Sequence, residues 1–177
     1  MGKGSTFTVD VPFGRASGEG AATCDDAFAA RSRTHGDGVS YDFSGRRVIV
    51  AEDNELNREI ATEVLAMAGA EVLAASTGAE AVRAFERSHP GSVDLIFMDI
   101  QMPEMDGYEA TRVIRSLDRD DARSVPIVAM TANAFVEDEE RSRMSGMDGH
   151  LSKPLDIHLV YATMDRFLRG RPRGGGA

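Results

Sequence analysis

The chain has 177 residues, 42% of them hydrophobic, with mean hydropathy −0.26 and a formal net charge of −9, which suits one domain of ordinary size with some additional chain. The acidic balance argues against wrapping nucleic acid or lying on an anionic membrane, because both need clustered Lys and Arg, and it makes proteins the expected partners. Cys24 is the only cysteine, so an internal disulfide is excluded and a reducing cytoplasm is the expected setting. The N-terminus has no apolar h-region, and no uncharged apolar stretch approaches the roughly 20 residues of a spanning helix, so a secreted or membrane-embedded fragment is not expected.

The opening segment alternates Phe7, Val9, Val11 and Phe13 with Thr8, Asp10 and Pro12, the pattern of a half-buried strand that has no sheet of its own to join. Residues 14–45 are rich in Gly, Ala, Ser, Asp and Arg without sustained periodicity and read as a flexible linker. From 46 to 169 short apolar runs alternate with segments of 3.6-residue period, which predicts a doubly wound α/β domain. The runs VIVA, LIFM and IVAM are apolar throughout, as strands covered by helices on both faces must be. After the first, Leu56, Ile60, Val64 and Met67 mark the inward face of a helix that stops near Gly69. Thr77 and Glu80 form a capping box for a second helix carrying Val82 and Phe85. A third runs from Gly107 to Ser116 with Ala110, Val113, Ile114 and Leu117 inward. The fourth, around Val136 to Ser145, is highly charged and is expected to be the least anchored. Asp156 reads as the N-cap of a last helix bearing Val160, Met164, Phe167 and Leu168. The Gly- and Arg-rich tail, residues 170–177, reads as disordered.

Four apolar runs end in reactive side chains: Glu52 and Asp53, then Asp99, then Thr131, then Lys153. If each run is a parallel strand, these groups converge at one edge of the sheet, where α/β sheets bind ligands. Three carboxylates gathered there repel one another unless a hard cation joins them, and Lys153 alone cannot balance them. The set therefore calls for a divalent metal, Mg²⁺. Asp99, mounted after a buried strand and before Ile100-Gln101-Met102-Pro103, is the candidate nucleophile toward a phosphohistidine. Asp53 holds the metal directly, Glu52 directly or through water, and the Gln101 backbone carbonyl is a candidate further ligand. Lys153 offers a cation to a phosphoryl oxygen and Thr131 a hydroxyl that turns toward it. Lys153-Pro154 is a candidate cis bond that aims the lysine. Asp106-Gly107 reads as structural, a cap and a turn. Each feature alone has an ordinary reading as a loop end, a cap or a surface lysine; their co-occurrence at successive strand ends changes the odds.

Taken together, E-D-N at 52–54, D-I-Q-M-P-E-M-D-G at 99–107, M-T-A at 130–132 and S-K-P at 152–154 resemble a response-regulator receiver domain over residues 46–169. The resemblance implies a flavodoxin-like, five-stranded parallel sheet in order 2-1-3-4-5 with five helices. It also implies Mg²⁺-dependent phosphorylation of Asp99 by a histidine kinase or histidine phosphotransfer protein, and self-catalysed dephosphorylation. In the implied switch Thr131 moves toward the phosphoryl group and the face of the fourth helix, fifth strand and fifth helix changes; homodimerisation through that face is left open. The family's usual aromatic, three residues before the lysine, is here His150. Residues 1–13, with Gly2-Lys3-Gly4-Ser5-Thr6-Phe7, resemble the final strand of a sensor histidine kinase ATP-binding domain. They are not a P-loop, because Lys3 is followed by glycine and the leading glycine is missing. The chain then reads as the C-terminal receiver of a hybrid histidine kinase whose core, and any membrane anchor, lies upstream. None of His35, His89, His150 or His158 stands in a kinase phosphoacceptor context. Two rivals are a degenerate receiver that binds without phosphorylation and a haloacid-dehalogenase-type phosphotransferase. The latter needs an acid two residues after its nucleophile, where this chain has Gln101, and it needs a cap domain.

Overall fold

Three strands without a polar interruption form the centre of the sheet because only a position covered on both faces repays so continuous an apolar run. In the computed structural model, which describes residues 41–132 and 142–171, these are β1 (Arg47–Ala51), β3 (Leu95–Asp99) and β4 (Ile127–Thr131). β2 (Glu71–Ala75) and β5 (Gly149–Ser152) lie at the edges, and all pairings are parallel in the order β2-β1-β3-β4-β5. The edge strands are more polar and more exposed, which is why EVLAA at β2 carries a weaker sequence signal than the central runs.

Five helices pack on this sheet: α1 (Glu55–Met67), α2 (Gly78–Arg87), α3 (Gly107–Ser116), α4, described at residues 142–145, and α5 (Ile157–Leu168). Alternation along the strands divides the core. Val48, Val50, Phe97 and Val128 face α1 and α5, while Ile49, Ile96, Met98 and Ile127 face α2 and α3. The expected fourth helix falls largely outside the described residues, as do the strand pattern of residues 6–13 and the tail beyond Arg171.

The caps expected at Thr77, Asp106 and Asp156 are present, and Asn54 caps α1 as well; each accepts a hydrogen bond from a backbone N–H of the following turn. Glu80 reaches back from α2 as expected, but its carboxylate accepts from the N–H and hydroxyl of Ser76, one residue before the cap, and these bonds hold it below the usual carboxylate range. α1 ends at Ala68, and Gly69 takes a left-handed φ of 85° where a side chain would also meet Ser44.

Two expectations are corrected. The inward face of α1 is Ala61 and Leu65, continued by Ala68; Leu56, Ile60 and Met67 are 63%, 48% and 64% exposed, and Val64 is half-buried. The small Ala61 lets the helix approach the sheet, while Ile60, one position away, stands about 100° around the helix from it, and Leu56 and Met67 stand on that same outer side at about 140° and about 120°. The linker does not extend to residue 45. Phe43 is 5% exposed in the α1/α5 core, donates its N–H to the Ala68 carbonyl at 2.7 Å and lies 6.0 Å from the Tyr161 ring, centroid to centroid. Tyr41 stacks on Phe43 and meets Tyr161 at a tilt, and the Tyr161 hydroxyl donates to the Val64 carbonyl. Residues 41–43 are thus a strap that closes the C-terminal end of α1 against α5. At the same end of the sheet a buried ion pair, Arg46–Asp94 at 2.8 Å, also binds the Arg171 carbonyl and the Arg47 N–H, so the chain remains attached past Leu168.

The strap gives a stability test. Removing a nearly buried phenylalanine leaves a cavity, so Phe43→Ala is expected to cost about 3 kcal/mol in denaturant unfolding. A chain beginning at Tyr41 is expected to melt close to the full-length protein, because the residues before it contain no sequence pattern able to build a core on this domain.

Candidate functional site

Parallel register brings four strand ends to one level. Asp99 closes β3 and pairs with Met130 of β4, Thr131 closes β4 opposite Ser152 of β5, Glu52 and Asp53 follow β1 directly, and Lys153 follows β5. The order of strands reverses between β1 and β3, so Glu52, Asp53 and Asp99 flank the topological switch point.

Glu52 and Asp99 are buried, at 1% and 4% exposure, whereas Asp53 is exposed above them. Lys153 Nζ lies 2.6 Å from Glu52 Oε2 and 2.6 Å from Asp99 Oδ2, bridging the two buried acids. The N–H of Gln101 donates to Asp99 Oδ1 at 3.1 Å. Burial pushes the Asp99 carboxyl above its ordinary value; Lys153 and the Gln101 N–H oppose the rise, and the neighbouring charge of Glu52 adds to it. On Lys153 burial acts to weaken the ammonium, but its bonds to Asp99 and Glu52 outweigh that and hold it above the usual lysine value. Thr131 is buried at the end of β4, and its carbonyl accepts the Lys153 N–H at 2.7 Å. Lys153-Pro154 is cis, as the sequence reading expects.

One ammonium leaves two negative charges uncompensated among these three acids. Glu52, Asp53 and Asp99 each offer an oxygen, all within 4.8 Å of one another. Oxygens on one octahedral Mg²⁺ at about 2.1 Å stand about 3.0 Å apart in cis and about 4.2 Å in trans, so the three carboxylates would draw closer together to share that ion. The chemistry of the donors, hard oxygens without sulfur or imidazole, fits as well.

Residues other than the reactive side chains also shape the site. Gly107 opens α3 with an ordinary φ, but a Cβ there would stand 2.2 Å from the Asp99 carbonyl oxygen; the glycine is needed for close approach rather than for a turn conformation. Its N–H donates to Ile100, and its carbonyl accepts the buried Thr111 hydroxyl. Between them Glu104 adopts a φ of 67° while Met105 N–H bonds the Pro103 carbonyl, a γ-turn of the strained kind. On the β1 side, Asn57 and Arg58 of α1 reach back to the acid pair. Asn57 and Arg58 stand three and four residues after the cap Asn54, a spacing that places them on the same face of the first turn, and that is the signal the sequence offered. His150 is the second residue of β5, exposed and three residues from Lys153.

Residues 48–165 match the response regulator receiver domain. The chain belongs to this family. It is 36% identical over 123 residues to the polar-differentiation response regulator DivK of Brucella ovis, a match covering 70% of this chain and 96% of that protein. It is 34% identical over 142 residues to histidine kinase 3 of Arabidopsis thaliana, where the match covers 70% of this chain but spans only 14% of the kinase. Among solved structures, the receiver domain of a sensor histidine kinase from Pseudomonas aeruginosa PAO1, with a magnesium ion in its active-site cleft, superposes with a TM-score of 0.64 at 35% identity, covering 71% of this chain and 98% of that one. The receiver domain of Saccharomyces cerevisiae Ssk1, solved in complex with the histidine phosphotransfer protein Ypd1, gives 0.63 at 27% identity, covering 73% and 90%. This receiver is thus a module of two-component signalling.

Two outcomes follow for the site. Gly107→Ala is expected to displace the Asp99 backbone and to lower stability, read as a fall in melting temperature. The raised Asp99 carboxyl works against the ionised, metal-free fold: an acid whose folded pKa is raised contributes favourably below its unfolded value near 4, and that contribution is lost as pH rises through the folded value. Asp99→Asn is therefore expected to raise the metal-free melting temperature at pH 7, with the gain vanishing below about pH 4.

Proposed function

We propose that this receiver accepts a phosphoryl group from a phosphohistidine onto Asp99 and switches a protein-binding surface in response. The observation that carries the reading is the bridging of Glu52 and Asp99 by Lys153 beside the exposed carboxylate of Asp53. In the transfer an Asp99 carboxylate oxygen attacks phosphorus, the P–N bond to the donor imidazole breaks, and its electron pair stays on the departing nitrogen. Lys153 holds the acceptor carboxylate and meets a phosphoryl oxygen as charge develops there, and Thr131 turns its hydroxyl to the same group once it is attached. Asp53, Asp99, the Gln101 carbonyl and, directly or through water, Glu52 would hold Mg²⁺, which would supply the remaining neutralisation of the phosphoryl oxygens. His150 stands where the family's aromatic relay stands, and its smaller, more polar ring is proposed to give a weaker readout.

The phosphodonor, a histidine kinase or histidine phosphotransfer protein, is proposed to dock on the apolar surface beside the acids. Leu56 and Ile60 of α1 face solvent there, with Ile157 and Leu159 of α5 42% and 55% exposed, and an apolar cleft lined by Ile60, Val64, Leu155 and Ile157 runs between the two helices. Such a patch at the rim of a polar site suits a helical partner that must bring one side chain to Asp99. Similarity to histidine kinases, together with the kinase-like residues 1–13, supports a hybrid histidine kinase as the parent protein, with this receiver in the cytoplasm; among the described residues no helix is long and apolar enough to cross a membrane.

Labelling with acetyl phosphate tests the assignment. Wild-type protein is expected to label in a Mg²⁺-dependent manner and Asp99→Asn not at all; undiminished labelling of Asp99→Asn would place the acceptor elsewhere, and no labelling of wild type would favour the phosphorylation-independent reading. Ile60→Asp is expected to leave acetyl phosphate labelling intact while slowing transfer from a phosphorylated histidine phosphotransfer protein at least tenfold.

A further inference from the structure

The first turn of α1 is tied to the acid pair by three bonds that the phosphoryl chemistry does not itself use. The cap Asn54 accepts the Asn57 N–H at 3.1 Å, which fixes the Asn57 backbone. The Asn57 side-chain amide then donates from Nδ2 to Glu52 Oε1 at 3.2 Å. Arg58, the next residue, donates from Nη1 to the carbonyls of Glu52 at 2.8 Å and Asp53 at 3.2 Å. Arg58 thus grips the backbone of the acid pair and Asn57 grips the carboxylate.

The two oxygens of Glu52 have different partners. Oε2 meets the Lys153 ammonium, and Oε1 meets the neutral amide of Asn57. A dication entering among the three carboxylates repels that ammonium, so Lys153 is a restraint that weakens as the cation arrives. A neutral donor carries no such penalty. Glutamate also has a longer and more mobile stem than aspartate, and ordering it upon binding costs side-chain entropy. A hydrogen bond already in place before the metal arrives removes part of that cost.

We infer that Asn57 is a positioning residue for the metal site, holding the Glu52 carboxylate oriented toward the cation by its Nδ2–Oε1 hydrogen bond. The inference rests on the Mg²⁺ reading proposed above. It also accounts for an asparagine in the first turn of a helix at a position that packs against nothing in the core, where a better helix former would otherwise serve.

The test is isothermal titration of Mg²⁺ into wild-type protein and Asn57→Leu, with the metal-free melting temperature of each. Leucine keeps the branched side-chain outline, removes the donor and favours the helix, and the position is exposed, so the metal-free melting temperature is expected to be no lower than wild type. The dissociation constant for Mg²⁺ is expected to rise about tenfold, the lower end of what is lost when a hydrogen-bond partner of a metal ligand is removed. Saturable binding by wild type with an unchanged constant in Asn57→Leu would overturn the inference alone. A weakened constant accompanied by a lowered metal-free melting temperature would mark a general loss of fold and would overturn it too. Absence of saturable binding by wild type would overturn the metal reading and this inference with it.

Discussion

Lys153 bridging Glu52 and Asp99 is the interaction on which the site depends, because it makes two buried carboxylates compatible with a folded domain. Two like charges brought this close in a poorly solvated place would shift or neutralise each other. The ammonium opposes that without cancelling it or satisfying the whole cluster: Asp53 stands exposed beside it, and the remaining negative charge favours a divalent cation. The same arrangement explains why Asp99 is held at a cost. Burial raises its carboxyl despite the lysine, so ionised Asp99 is strained electrostatically until positive charge arrives to balance it.

The sheet serves this arrangement by being dull. Three apolar strands with almost no exposed surface fix the heights of Glu52, Asp99 and Thr131, and each reactive group sits where the apolar run stops. Precision then comes from close approaches that permit no substitute. Gly107 lies against the Asp99 carbonyl, and the γ-turn at Glu104 folds the intervening loop back on itself. Away from the site, arginines fasten the other loops: Arg119 stacks on Phe85, binds carbonyls at the end of α2 and pairs with Asp121, while Arg115 binds the carbonyls of Ala122, Val125 and Gly146 and pairs with Asp148. Asp121 is held below the usual carboxylate range by its bond to Arg119, so this clamp weakens only in acid.

Much of this was legible in the sequence, for identifiable reasons. Central strands announce themselves by unbroken apolar runs, and the caps Thr77, Asp106 and Asp156 fall where short polar side chains precede a helical period. Lys153 and Asp99 could be placed together because strand ends in a parallel sheet share an edge. The helix α1 was harder: Ala61 and Leu65 face the core while the larger Leu56, Ile60 and Met67 face out, an inversion that hydrophobicity alone cannot reveal. It takes on meaning only beside the site, where an outward apolar stripe suits a partner. Phe43 was hidden in a stretch whose composition reads as linker, since two aromatics among glycines and aspartates give no period. Gly107 reads from the sequence as a turn residue and Asn57 only by its spacing from the cap Asn54, because their roles lie in a single missing methyl group and a single hydrogen bond.

The account turns on which carboxylate receives the phosphoryl group, and chemical trapping addresses that directly. Wild-type protein phosphorylated in Mg²⁺ and reduced with borohydride, then digested and mapped by mass spectrometry, converts an aspartyl phosphate into homoserine at the modified position. The account predicts homoserine at position 99 and nowhere else, and none when the metal is chelated before phosphorylation. Homoserine at position 53, or modification at 99 that is indifferent to chelation, would contradict it.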